Sequence, residues 1–239
     1  MSKKGYRNKG SKDNLVISIA GAHGVGKSTI INLLKKKYRD ENKFKFFPER
    51  YKKIPPFPFG SSDKQIAFRS EIHFLQQLMK RNRSVLNYDE RYNGRILFLD
   101  RTPICVLIYS KSLSLKEKDY QLIVDTYNSI EWRENYVIYL TAEPETILKR
   151  IVRRGSLDKR RREWNEEDKR YLTDILSYYN LFLFNENEEQ NVITLNTDGL
   201  TPEQVVQEIE SIITDLSGYS FEKTIKQPST QMSLTKYLE

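Results

Sequence analysis

The chain alternates short apolar runs with longer segments in which apolar residues recur every three or four positions. The short runs are typical of buried strands, and the longer spacing is typical of amphipathic helices. The sequence predicts strands at 15–20, 43–47, 95–100, 136–140 and 192–195. It predicts helices at 29–37, 62–86, near 103, and at 115–132, 143–154, 165–184 and 201–216. Strands that alternate with helices favour an α/β fold over residues 15–216, with a five-stranded parallel sheet and helices on both faces.

The stretch between the first strand and the first helix carries the clearest candidate chemistry. It fits the pattern G-x-x-x-x-G-K-[ST] of phosphate-binding loops, and its residues are Gly21, Ala22, His23, Gly24, Val25, Gly26, Lys27, Ser28 and Thr29. Glycines let such a loop turn tightly and direct backbone N–H groups at phosphate oxygens. We expect Lys27 to contact the β- and γ-phosphates and Ser28 to ligate Mg²⁺. Because a strand precedes the loop and a helix follows it, the stretch predicts a site for nucleotide phosphates.

Composition argues against several other classes of protein. The chain of 239 residues has one cysteine, Cys105, which excludes an intramolecular disulfide framework, and two histidines, which leave little room for a histidine-based metal centre. No apolar run approaches the length of a membrane span, and the first residues lack the apolar core of a signal peptide. We therefore expect a cytoplasmic protein, or a nuclear one in a eukaryotic host, that has no membrane partner.

The formal net charge of +8 favours polyanionic partners, among which nucleotides and nucleic acids both qualify. Part of this charge belongs to a basic tail at residues 1–14, whose cationic residues are Lys3, Lys4, Arg7, Lys9 and Lys12. Such a tail is typical of a solvated, disordered segment, and contact with nucleic acid is the alternative interpretation.

A carboxylate closes the third predicted strand. The apolar run at 95–100 ends in Asp100, a Walker-B-type arrangement in which Asp100 could hold Mg²⁺ opposite Ser28. Aspartate is also common in the turns that follow strands, so the pattern alone has a purely structural explanation. The phosphate loop upstream favours the metal-site interpretation.

Four separated pieces of the chain, in this order, resemble the deoxynucleoside kinase and thymidylate kinase group of P-loop kinases. They are the phosphate loop, Glu49 after the second strand, the Asp100-Arg101-Thr102 motif, and the basic segment that contains Arg150 and Arg154. The likeness covers residues 15–216. It implies the three-layer P-loop kinase fold, ATP and Mg²⁺ as cofactors, and phosphoryl transfer to a deoxynucleoside or a deoxynucleoside monophosphate.

The resemblance also implies roles for individual residues. A lid at about 153–165 would close over the transferred phosphate, and its arginines would stabilise the charge that develops there. In the nucleoside kinases of the group, a glutamate after the second strand takes the proton from the attacking 5′-hydroxyl. The implied catalytic residues are Lys27, Glu49, Asp100, Arg101, Arg150 and Arg154, and the implied Mg²⁺ ligands are Ser28 and Asp100.

The sequence leaves the acceptor open. Pro48-Glu49-Arg50 offers a carboxylate, which suits a nucleoside acceptor, and a guanidinium, which in monophosphate kinases would grip the acceptor phosphate. The base-reading glutamine of nucleoside kinases corresponds to Gln76 or Gln77, whereas the lid glutamate expected near Lys159 is absent. Two further hypotheses are a kinase for the 5′-hydroxyl ends of DNA or RNA, and a non-catalytic, nucleotide-sensing clamp adaptor. Each hypothesis is compatible with a homodimer.

The C-terminal end has a different composition. Residues 217–230 are polar and predict a linker. Residues 231–239 resemble the PCNA-interacting peptide (PIP box), whose four defining positions are Gln231, Leu234, Tyr237 and Leu238. A 3₁₀ turn would bring the last three onto one side as an apolar anchor, although the final position is usually aromatic rather than leucine. The resemblance implies a PCNA-type sliding clamp as a partner, and hence an archaeal or eukaryotic host.

Overall fold

The computed structural model describes residues 13–49, 57, 60–154, 165–185 and 191–221. The predicted basic tail up to residue 12, most of the predicted lid and the predicted PIP box lie outside these ranges. No helix within the described ranges is long and apolar enough to cross a membrane.

All five predicted strands are present, and each end lies within one residue of its prediction. The strands are β1 (Leu15–Ala20), β2 (Phe44–Phe47), β3 (Ile96–Asp100), β4 (Tyr136–Thr141) and β5 (Asn191–Asn196). They form one sheet in the order β2-β3-β1-β4-β5, in which every neighbouring pair is parallel. The predicted five-stranded parallel sheet is therefore confirmed.

The predicted helices are also present. They are α1 (Lys27–Lys37), α2 (Lys64–Arg91), α3 (Cys105–Ser112), α4 (Glu117–Asn128), α5 (Pro144–Arg153), α6 (Lys169–Asn180) and α7 (Pro202–Ser217). The segment predicted as one helix at 165–184 contains α6 followed by a π-helical turn, Leu181–Asn185.

The core lies on both sides of the sheet, because successive side chains of a strand point to opposite faces. On β3, Leu97 and Leu99 pack in one buried cluster with Val85 of α2, whereas Ile96 and Phe98 belong to a larger buried cluster. These four β3 residues are at most 2% exposed. A strand covered on both faces needs apolar residues at every position, which is why β3 reads as a continuous apolar run.

The packed domain extends beyond its predicted end at Leu216. Tyr219 and Phe221, which fall in the predicted linker, pack against the core. Their rings lie 5.2 Å, centroid to centroid, from the rings of Phe44 and Tyr38 respectively. The Tyr219 hydroxyl also donates a hydrogen bond to the Glu41 carboxylate at 2.6 Å. The sequence did not indicate these contacts, because two isolated aromatic residues in a polar segment give no periodic signal.

We expect Phe221→Ala to lower the free energy of unfolding by roughly 1–3 kcal/mol, because it removes aromatic contacts of a partly buried ring. Ser220→Ala is the matched control, since Ser220 is exposed and adjacent. Urea unfolding of the full chain measures both variants. Equal stabilities of the two variants would show that the segment after α7 adds nothing to the domain.

Candidate active site

The candidate site lies where three adjacent parallel strands end. In the register of β1 and β3, Ile19 is opposite Asp100, and the backbone N–H of Arg101 donates to the Ile19 carbonyl at 3.1 Å. Phe47, at the end of β2, is opposite Leu99 of β3. The strand order therefore brings the phosphate loop, Asp100-Arg101 and Glu49 to the same end of the sheet, where the strands finish.

The phosphate loop has the backbone that its motif requires. Gly26 has a φ of 118° and precedes α1, whose first turn has no side-chain cap. The N–H groups at this helix start are therefore available to an anion, which fits a nucleotide phosphate. Gly24 is needed for a different reason: a Cβ atom there would lie 2.6–2.8 Å from side-chain atoms of Ile147 and Ile151 on α5.

Lys27 contacts its own loop. Its ammonium group donates to the carbonyls of Gly21 and Ala22 at 2.8 and 2.7 Å. Burial, followed by the nearby charge of Arg101, lowers the pKa of Lys27 to about 7. A lysine held in this way lies at the centre of the loop, where the phosphates of a bound nucleotide would replace the two carbonyls as its partners.

Arg101 connects the acidic groups of the site. Its Nε atom lies 2.7 Å from Oε1 of Glu49, and its guanidinium stands over the ring of Tyr109 at 5.3 Å. Arg101 has a φ of 73°, a left-handed backbone conformation that is uncommon outside glycine. Burial, and then the neighbouring Glu49, raise the pKa of the Asp100 carboxyl group, whereas the charges of Arg101, Lys27 and Arg81 oppose the rise.

The residues predicted to hold Mg²⁺ offer oxygen atoms, which are the ligands that this ion takes. Ser28 is exposed in the first turn of α1, and Asp100 is half-buried at the end of β3. Mg²⁺ in kinases is commonly bound by one or two protein oxygens together with substrate phosphates and water. The described part of the chain contains no cluster of three acidic, histidine or cysteine side chains suited to a metal.

Arg150 lies on the nucleotide side of the loop. Its guanidinium donates to the Val25 carbonyl at 3.0 Å, to the Thr197 hydroxyl at 2.8 Å and to the Thr197 carbonyl at 2.6 Å. Arg150 thus ties the phosphate loop to the end of β5 rather than lying free above the loop. Arg154 is exposed, and the predicted lid residues 155–164 lie outside the described ranges.

A cavity of about 310 Å³ opens beside the phosphate loop. It is lined by loop residues, by the arginines at the end of α5, and by apolar residues that include Leu200 before α7 and Pro202 and Val205 in its first turns. A pocket with an apolar wall and arginines next to a phosphate site suits the base and sugar of a nucleotide. Thr197 and this apolar wall were not predicted, since no motif marks them.

His23 joins the phosphate loop to the region of α6. Its Nε2 atom lies 3.1 Å from the Glu166 carbonyl, which can only accept, and its ring stacks on Tyr171. Burial, followed by the charge of Lys27, lowers the pKa of His23 to about 3. The His23 side chain therefore packs as a neutral ring, and its backbone N–H donates to the Tyr109 hydroxyl at 3.1 Å.

Comparison with known proteins identifies the family of the chain. The sequence model described as deoxynucleoside kinase matches residues 17–218 of the chain. The chain is 25% identical over 211 residues to a deoxyadenosine/deoxycytidine kinase of Bacillus subtilis (strain 168), which covers 84% of this chain and 94% of that protein.

Solved structures show the same fold. A deoxyadenosine kinase from M. mycoides with the products dCMP and dCDP superposes with a TM-score of 0.66 at 21% identity, covering 84% of this chain and all of that one. A thymidylate kinase from Candida albicans superposes with a TM-score of 0.64 at 18% identity, covering 87% and 95%. The chain belongs to the deoxynucleoside kinase family of P-loop phosphotransferases.

Proposed function

We propose that this enzyme transfers the γ-phosphoryl group of ATP to the 5′-hydroxyl of a deoxynucleoside, with Mg²⁺, and that its C-terminal peptide attaches it to a PCNA-type sliding clamp. The contact between Glu49 and Arg101, at 2.7 Å, carries the catalytic part of the proposal. It puts a carboxyl group at the sheet edge that also holds the phosphate loop.

The donor binds on the loop side. The loop N–H groups and Lys27 receive the ATP phosphates, Ser28 and Asp100 hold Mg²⁺, and the cavity beside Arg150 takes the base and sugar. Mg²⁺ supplies charge neutralisation to the phosphates when it is bound. Arg101 and Arg154 are the cations that would stabilise charge on the transferred group.

The acceptor binds on the Glu49 side. Arg101 orients the Glu49 carboxyl group, which takes the proton from the 5′-hydroxyl as that oxygen attacks the γ-phosphorus. An alcohol needs such a base, whereas a phosphate acceptor is already anionic. Because the Arg101 guanidinium is paired with Glu49, it is a poor candidate for binding the phosphate of a monophosphate acceptor.

The groups farther from the loop also favour an uncharged acceptor. Glu71 of α2 is 2% exposed, and burial raises the pKa of its carboxyl group to about 8, with Arg101 opposing the rise and Glu49 adding to it. Near neutral pH it is therefore an uncharged acid. Among the described residues, the buried hydroxyl of Tyr171 has no hydrogen-bond partner. Neutral polar groups such as these match a nucleoside better than a monophosphate.

The other acceptors have less support. Arg50, which could hold a monophosphate, lies outside the described residues. Of the two candidate base-reading glutamines, Gln76 is exposed and Gln77 is buried. Membership of the deoxynucleoside kinase family does not favour a polynucleotide acceptor or a non-catalytic adaptor.

The clamp attachment rests on the residue types of 231–239. Tyr237 and Leu238 lie three and four positions after Leu234, so one 3₁₀ turn can present all three side chains to an apolar pocket. Gln231 precedes them at the spacing of a PIP box. The last described residue, Phe221, lies ten positions before Gln231, which leaves a segment between the packed domain and the peptide.

We expect Glu49→Gln to reduce the rate of deoxynucleoside phosphorylation by about 10²–10⁴, because the amide cannot accept the proton. The assay uses labelled ATP and a panel of deoxynucleosides and their monophosphates. Lys27→Ala should abolish transfer, and the exposed Glu117→Gln on α4 is the matched control. Unchanged turnover of Glu49→Gln on a monophosphate would instead identify a monophosphate kinase, and no transfer to any acceptor would refute the proposal.

We expect Glu71→Gln to flatten the pH dependence of stability. An acid whose pKa is about 8 when folded, against an ordinary value of 4.5, stabilises the fold below about pH 4.5 and loses that contribution as the pH rises through 8. Between pH 5 and 9 the wild type should therefore lose roughly 4 kcal/mol more unfolding free energy than the variant. Urea unfolding at each pH, with Glu117→Gln as control, measures this. Parallel curves would show that Glu71 is charged in the folded state.

We expect a synthetic peptide of residues 224–239 to bind a homotrimeric sliding clamp of the host with micromolar affinity, roughly 7–9 kcal/mol. The double change Leu234→Ala, Tyr237→Ala should abolish this binding, because buried apolar anchors supply most of the energy. Calorimetry measures both peptides. In parallel, a chain truncated after Phe221 should keep its kinase activity. A wild-type peptide that releases no heat at high concentration would exclude the clamp.

A further inference from the structure

A hydrogen-bonded network lies behind the turn at Asp100-Arg101-Thr102. The Ser18 hydroxyl of β1 donates to Oε2 of Glu134, and the Thr102 hydroxyl donates to Oε1 of Glu134 at 3.0 Å. Ser18 and Thr102 are fully buried. One carboxyl group thus bridges β1, which leads into the phosphate loop, and the turn that follows β3.

Arg81 holds the same turn from the α2 side. One guanidinium nitrogen donates to the Asp100 carbonyl, and the other donates to the Arg101 carbonyl at 2.9 Å. Arg81 is 1% exposed, so both contacts are made away from water. Burial lowers the pKa of Arg81, and Glu134 is among the acidic groups that oppose this effect. Burial raises the pKa of Glu134 to about 7, and the hydrogen bonds from Ser18 and Thr102 and the charge of Arg81 oppose this rise.

The turn needs such support because of its backbone. Arg101 adopts the left-handed conformation that side chains other than glycine rarely take. In this conformation its side chain reaches Glu49, while the preceding Asp100 lies opposite Ile19, two residues before the phosphate loop. The direction of both functional side chains therefore depends on the carbonyls that Arg81 holds.

We propose that Arg81 and Glu134 are positioning residues for the turn. Arg81 acts through the carbonyls of Asp100 and Arg101, and Glu134 acts through the hydroxyl of Thr102. Together they direct Asp100 toward the Mg²⁺ of the bound nucleotide and Arg101 toward Glu49. This inference rests on the proposed phosphoryl transfer. Neither residue touches a substrate; each acts through the backbone or hydroxyl of the turn. Outer contacts of this kind orient metal ligands, and their loss typically lowers metal affinity or activity by about 10–100-fold.

The test compares two matched pairs of variants in the full-length enzyme. Thr102→Val removes the hydroxyl at almost constant shape, whereas Thr102→Ser keeps it. Arg81→Lys replaces a guanidinium that donates to two carbonyls by a single ammonium group. Arg83→Lys is its control, because it makes the same change at a nearby exposed position of α2. Circular dichroism establishes that each variant is folded at the assay temperature. If Thr102→Val does not fold, the arginine pair carries the test.

The first measurement is the affinity for ATP by calorimetry, with Mg²⁺ and with EDTA. The ratio of the two dissociation constants reports how well Asp100 holds the metal, and it requires no catalysis. Mg²⁺ should increase the affinity of the wild type for ATP. We expect this increase to be smaller by about 10-fold or more in Thr102→Val and Arg81→Lys. Thr102→Ser and Arg83→Lys should retain it. An unchanged ratio in Thr102→Val and Arg81→Lys would overturn the inference.

The second measurement is steady-state kinetics on an acceptor that the wild type phosphorylates. We expect kcat to fall by about 10–100-fold in Thr102→Val and Arg81→Lys. The KM for ATP should rise with the loss of Mg²⁺-dependent affinity, whereas the KM for the acceptor should change little, because neither Arg81 nor Glu134 touches a substrate. Equal kcat in all four variants would also contradict the inference. A wild type that phosphorylates no acceptor would refute the proposed function, and the calorimetric ratio would still decide the role of the network.

Discussion

The parallel pairing of β1 with β3 is the constraint on which the site depends. Ile19 lies opposite Asp100 in this pair, and β1 runs directly into the phosphate loop. A shift of register by one residue would send every side chain of a strand to the other face of the sheet. The apolar residues of β3 resist such a shift, because those on each face belong to a buried cluster. The core therefore sets the distance between the loop and the carboxylate.

The site places several charged groups where little water reaches them. Lys27 is 6% exposed and Arg81 is 1% exposed. Burying a charge is costly unless it is paired or hydrogen-bonded, and each of these groups has such partners: loop carbonyls for Lys27 and turn carbonyls for Arg81. Glu49 and Arg101 neutralise each other at the same edge. Arg101 links two of these contacts, because its carbonyl accepts from Arg81 and its side chain pairs with Glu49, so substitutions of Arg81 and Arg101 should not be additive.

The nucleotide side of the site depends on α5. Ile147 and Ile151 of this helix fill the space that a side chain at position 24 would occupy, so α5 packs directly on the phosphate loop. Arg150, from the same helix, bonds both the loop and Thr197 after β5. The loop, α5 and the β5–α7 connection therefore form one packed unit around the cavity. A displacement of α5 would alter the shape of the donor pocket and the phosphate loop together.

The sequence by itself determined the strands, the helices, the phosphate loop and the carboxylate at the end of β3, because contiguous residues encode each of them. It could not determine which strand ends meet, since strand order follows from packing. Arg81, 20 residues from the carbonyl it bonds, looks like any other arginine of a charged helix. Thr197 meets Arg150 across 47 residues, and Tyr219 meets Phe44 across the whole domain. These contacts exist only in the tertiary structure, because no local pattern distinguishes a side chain that will face the site from one that will face water.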